Sequence, residues 1–114
     1  MRTLSPVQQR LLTDIQRLLS TLLIRDVADP RLFNISITRV ESPGRQMVTV
    51  YVYRADEEDQ KAILNALVKL TPHFEHELRR ALPKRRLPRL RFKWDDAFEK
   101  SGDVLMMLRN LEQS

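Results

Sequence analysis

The hydrophobic period of this chain changes four times, and each change narrows the folds open to it. Val7, Leu11, Ile15, Leu18 and Leu22 recur at steps of three and four, with Leu12, Leu19 and Leu23 widening the stripe. That is the pattern of a helix buried on one side. Ser5 is placed to cap it, Pro6 suits its first position, and Gln8 is the return partner of a capping box. Asp29-Pro30 predicts an end near Arg25 or Asp26, because the residue before proline avoids helical geometry. The period then drops to two. Residues 33–40 (FNISITRV) alternate Phe33, Ile35 and Ile37 against Asn34, Ser36 and Thr38. Residues 46–54 (QMVTVYVYR) alternate Val48, Val50 and Val52 against Thr49, Tyr51 and Tyr53. Ser42-Pro43-Gly44-Arg45 between them has proline and glycine where a type II turn wants them, so the pair reads as an antiparallel hairpin.

Helical spacing returns with Ile63, Ala66, Leu67 and Leu70, after four acids (Asp56-Glu57-Glu58-Asp59) that suit the positive end of a helix dipole. It continues through Phe74, Leu78 and Leu82, but Pro72 falls inside the run. Proline removes a backbone bond and clashes with the preceding turn. The expectation is two helices, or one sharply bent helix, broken at Leu70-Thr71-Pro72. Pro83 and Pro88 bracket a basic loop. RLRFKW then alternates again, with Leu90, Phe92 and Trp94 to one side and Arg89, Arg91 and Lys93 to the other. A short last helix over 103–111 would cover the core with Val104, Met107, Leu108 and Leu111.

Mixed runs of helices and strands argue one α+β domain over residues 1–114. Three strands and these helices cannot bury both sheet faces, so the helices pack on one face and the other stays wet. The chain has no cysteine, which removes disulfides and thiolate metal sites and fits a reducing cytosol. No apolar run reaches the ~18 residues of a membrane span. The N-terminal MRTLSPVQQR lacks the apolar region of a secretory signal. A cytoplasmic protein without membrane association is expected.

Charge is unevenly spread. The net value is +5, yet Arg79 to Trp94 (RRALPKRRLPRLRFKW) holds eight basic residues and no acidic one. The alternation of the third strand explains Arg89, Arg91 and Lys93, which share one orientation. Thr49, Tyr51 and Tyr53 lie across the same open face by alternation. Tyrosines beside cations can stack bases, although such pairs are also ordinary cross-strand packing. Arg79 and Arg80 end the helix, where cations suit the dipole. Lys84, Arg85 and Arg86 exceed what a helix end needs, and a phosphate track on RNA or DNA accounts for the surplus.

Three segments then carry a resemblance. Asp29-Pro30-Arg31-Leu32 follows the first helix, Met47 to Tyr53 reads MVTVYVY, and Leu87 to Ser101 reads LPRLRFKWDDAFEKS. In that order the chain resembles the ribosome-binding factor A family, whose last segment has the form VPxLxFxYDxSLxxG. The resemblance spans nearly the whole chain. It implies a type II KH-like fold, helix-strand-strand-helix-helix-strand. KH domains commonly clamp a nucleic-acid backbone with a GXXG loop. This chain has none, and Leu70, Thr71 and Pro72 stand where the family carries an Ala-x-Gly interhelical kink. The resemblance also implies binding to the immature 30S subunit and its 16S ribosomal RNA. It further implies help in late maturation, including 5′-end processing and growth in the cold. Arg79, Arg80, Lys84, Arg85, Arg86, Arg89, Arg91 and Lys93 are the expected RNA contacts. Other small-subunit assembly factors, among them a GTPase, are expected partners of a monomer without cofactor.

Rival classes rest on less. An enzyme or metal site would have to use His73, His76 and Glu77, which share one helical face. Zinc usually takes further protein ligands, and no nucleophile motif or glycine-rich phosphate loop accompanies the three. A KH-like module for another RNA or for DNA would carry the same charges. A peptide-binding or dimerising scaffold would use the free strand edge instead.

Overall fold

Ser5 opens the first helix as its composition requires. Its hydroxyl accepts from the Gln8 N–H (3.2 Å), and the Gln8 side chain accepts from the Ser5 N–H (3.0 Å). The computed structural model describes residues 4–44, 46–55 and 59–98. Helix α1 runs Pro6–Arg25 and is closed at Asp26. It buries Ile15, Leu19, Leu22 and Leu23, whereas Val7, expected in the stripe, stands exposed. Asp29 then caps a 3-10 turn, Pro30–Leu32, that buries Leu32.

Strand β1 is Ser36–Glu41 and β2 is Met47–Tyr53. The first strand begins later than the alternation predicts, because Asn34 adopts a positive φ of 62° and ends the extended run. Phe33 is left half exposed. The β1–β2 register is antiparallel and slips between Ile37 and Arg39. This bulge changes the phase of β1. Ile37 pairs with Val52 and Val40 with Val50 on the core face, while Arg39 pairs with Tyr51 on the other. Gly44 does not take a positive φ, so the expected type II turn does not form. The Ser42 hydroxyl instead donates to the Gly44 carbonyl (2.7 Å).

The segment expected as two helices or one bent helix forms a single α-helix, α2, Gln60–Ala81, with Pro72 inside it. Asp59 caps it, accepting from the Ala62 N–H (3.1 Å). Pro72 leaves one acceptor, the Val68 carbonyl, without its helical donor. Val68 and Pro72 both lie on the exposed side, where water can replace that bond. Both flanks are fixed by burial, Ile63, Ala66 and Leu67 before the proline and Phe74 and Leu78 after it.

Strand β3, Arg89–Trp94, pairs with β2 in parallel, giving a sheet of order β1-β2-β3. Val48, Val50, Val52, Leu90, Phe92 and Trp94 form one face and pack beneath both helices. Phe74 meets Phe92 edge-on at 5.9 Å. Helix side chains also reach the two outer strands. Glu75 accepts from the Leu90 N–H (3.0 Å), and the Gln16 amide donates to the Ile37 carbonyl (3.1 Å). The expected last helix over 103–111 lies outside the described residues.

Candidate nucleic-acid interface

The parallel register of β3 sets out the site. Arg89 is opposite Met47, Arg91 opposite Thr49, and Lys93 opposite Tyr51. The three cations are exposed on the face away from the helices, spaced about 6.6 Å apart along the strand. None of them makes an ion pair among the described residues. Thr49, expected to share this open face, is buried. It therefore offers no contact to a ligand.

The two tyrosines are occupied differently. The Tyr51 ring carries the Arg39 guanidinium, whose carbon lies 3.9 Å from the ring centroid. Arg39 is held at its edges by Glu41 (2.6 Å) and by Asp95 (3.3 Å). Asp95 is itself buried, accepting from the Thr38 hydroxyl (2.6 Å) and the Phe98 N–H (3.0 Å). Burial pushes its carboxyl up, but the two hydrogen bonds and the Arg39 charge outweigh that and hold it below its ordinary 3.8. Tyr53 packs at 5.7 Å from Trp94 and 5.0 Å from Phe98. The two tyrosines are therefore not a bare pair, since each ring already has a protein partner.

The remaining cations fall in three settings. Arg79 is exposed at the end of α2, and Arg80 pairs with Glu77 (3.3 Å). Lys84 and Arg86 are exposed in the loop before β3, without an ion pair among the described residues. Arg85 is half buried, and its Nη1 is enclosed without a hydrogen-bond partner. Arg86 and Arg89 line one hollow with Gln46 and Met47, which joins the loop to the strand row. Leu70, Thr71 and Pro72 lie in the helix layer, on the opposite side of the sheet from that row. The Thr71 hydroxyl is turned back onto the Leu67 carbonyl (3.0 Å).

The His73-containing face takes a partner that the sequence did not suggest. Asp26, at the end of α1, lies 3.1 Å from the His73 Nε2. Asp26, His73 and Glu77 bring possible ligand atoms within 4.8 Å of one another, and His76 is not among them. Arg25 and Arg80 already engage the two carboxylates. The hydrogen bond from Arg25 holds the Asp26 carboxyl below its ordinary 3.8 against the effect of burial, with His73 adding to it. The Asp26–His73 hydrogen bond ties the end of α1 to α2.

Arg39 and Asp95 stand outside the expected site. No local pattern marks them, since the bulge at Thr38 decides which face Arg39 occupies. Asp29-Pro30-Arg31-Leu32 proves architectural. Asp29 accepts from the Arg31 backbone N–H and from its guanidinium (2.7 Å), which fixes the turn that buries Leu32.

These features define a small α+β domain with α1 and α2 on one sheet face and, on the other, a row of strand cations that make no ion pair among the described residues. The sequence model of the ribosome-binding factor A family matches residues 7–108. A ribosome-binding factor A from Coxiella burnetii is 31% identical over 106 residues, covering 92% of this chain and 89% of the relative. One from Thermomicrobium roseum is 32% identical over 108 residues, covering 93% and 84%. The crystal structure of ribosome-binding factor A from Thermus thermophilus superposes with a TM-score of 0.63 at 32% identity, over 75% of this chain and 92% of that one. A homology model of the Thermus thermophilus factor, fitted into a cryo-electron-microscopy map of a 30S complex, gives 0.62 at 33% identity, over 76% and 93%. The chain belongs to the ribosome-binding factor A family.

Proposed function

We propose that this protein binds the free, immature 30S subunit and grips 16S ribosomal RNA by its phosphates. The observation that carries the reading is the row Arg89, Arg91 and Lys93. These cations are exposed, share one face and have no ion pair among the described residues. A cation already paired gains little from phosphate, whereas a solvated one releases a counterion from the nucleic acid. Arg86 extends the row into the loop, where Lys84 is also exposed. The Thermus thermophilus relative fitted into a 30S complex supports the same partner.

The action is binding without chemistry. A protein that grips one conformer of the RNA more tightly than another shifts the balance by that difference in affinity. Favouring the mature conformer would assist late 16S maturation, including 5′-end processing and growth in the cold. It would also hold the subunit back from premature use. The protein acts as a cytoplasmic monomer, and other assembly factors, a GTPase among them, assist its release. Among the described residues, no helix is long and apolar enough to cross a membrane.

Cosedimentation with purified 30S, 50S and 70S particles at stepped salt tests this. The protein should pellet with free 30S and not with the others. With about six phosphates neutralised, affinity should fall roughly a thousandfold between 50 and 200 mM salt, and less where the RNA is single-stranded. Failure to pellet with free 30S even at low salt would overturn the reading. Equal retention by unrelated RNA or DNA would favour a general KH-like nucleic-acid module instead.

A further inference from the structure

We propose that the sheet face opposite α1 and α2 holds a seat for one unpaired nucleobase, formed by the Arg39 guanidinium lying on Tyr51. The proposal rests on the RNA-binding reading above and adds what that reading leaves open, namely where a base would go.

The seat is built from several fixed parts. The bulge in β1 turns Arg39 to the open face, opposite Tyr51 in β2. Tyr51 is opposite Lys93 in β3, so the three residues form one line across the sheet. The Tyr51 ring covers the lower side of the guanidinium at 3.9 Å. Glu41 and Asp95 hold its edges, and Asp95 is locked in turn by Thr38 and the Phe98 N–H. The Arg39 side chain nonetheless remains 44% exposed. A planar cation pinned below and at its rim has one free surface, the outer one.

That surface suits a base and not a phosphate. Guanidinium groups are weakly hydrated and stack on flat π systems, and unstacked RNA bases are bound on such planes. The two carboxylates offset the Arg39 charge and repel a phosphate, while a neutral base is indifferent to them. The phosphate belongs on Lys93 and Arg91, which have no ion pair among the described residues. Outer strands of a three-stranded sheet are about 10 Å apart, close to the reach of a base from its own phosphate. The backbone of a single strand would follow β3, and one base would lie across β2 onto Arg39. Because the guanidinium is already held by the Tyr51 ring and two carboxylates, less side-chain entropy is lost on stacking than for a free arginine.

The experiment uses the full chain and a short single-stranded RNA carrying one 2-aminopurine, whose fluorescence falls when it stacks. The parent should quench it. Arg39→Lys keeps the charge and removes the plane. It should bind about tenfold more weakly, the worth of one stacked base, and should lose the quench. Its salt slope should be unchanged because the cation count is unchanged. Tyr51→Leu leaves the guanidinium unsupported and should show the same loss of quench. Melting followed by circular dichroism confirms that each variant is folded. Quenching by both folded variants at parental strength would overturn the seat. A parent that pellets with 30S but ignores the oligomer would also overturn it, leaving the RNA reading intact. A parent that does neither would overturn both.

Discussion

Asp95 shows how a single side chain organises the open face. It follows β3 directly, yet it joins all three strands: its N–H donates to Val52 in β2, and its carboxylate takes Thr38 and Arg39 of β1. Its folded-state value lies below the ordinary 3.8, so the ionised form is the one the fold favours. Its contribution to stability is therefore complete above 3.8 and is lost as pH falls below that value. Asp95→Ala should cost about 1.5–3 kcal/mol at neutral pH, the worth of hydrogen bonds to a charged group. Urea unfolding of parent and variant at neutral pH and again below 3.8 checks both points, since the gap should narrow in acid. Trp94, one residue earlier, is legible as core from the strand alternation alone. Asp95 is not, because Thr38 lies 57 residues upstream and is brought to it only by the sheet.

At the scale of the element, α2 shows tertiary packing overruling a local rule. A proline inside a helix costs about 3 kcal/mol. Burying each large apolar side chain contributes roughly 1.5–3 kcal/mol. Phe74 and Leu78 beyond Pro72, with Ile63 and Leu67 before it, outweigh that cost together. The proline is visible in the sequence; the common surface beneath both flanks is not. Pro72→Ala should return the missing bond and raise stability by about 1–3 kcal/mol, read as a higher urea midpoint with an unchanged m-value. A lower midpoint would mean that the proline shapes the helix to fit the sheet. β3 is legible to the residue because one face is core and the other water. β1 departs from expectation in both its start and its phase, since Asn34 and the bulge at Thr38 are backbone events that hydrophobic alternation does not record.

For the whole molecule, the decisive feature is the separation of charge from core across one sheet. Of the cations in the run Arg79 to Trp94, Arg86 of the loop and Arg89 of β3 line one hollow. The run does not show that its members differ. Arg80 is paired and Arg85 is half buried, while Lys84 and Arg86 are exposed. The last two are the clean test. Replacing Lys84 and Arg86 together with alanine should leave the melting temperature nearly unchanged, because exposed charges contribute little stability. It should weaken 30S binding and reduce the magnitude of the salt slope by about two, one unit for each phosphate no longer neutralised. An unchanged slope in the titration would remove the loop from the interface.

Glu75 and Gln16 carry one more consequence. A sheet with two bare margins is a template on which further strands can add, from other copies or from passing peptides. Here a helix side chain occupies a backbone group on each margin. Growth into fibres is hindered on both flanks, and so is the clipping-on of a guest strand. Recognition is thereby directed to the flat surface between them.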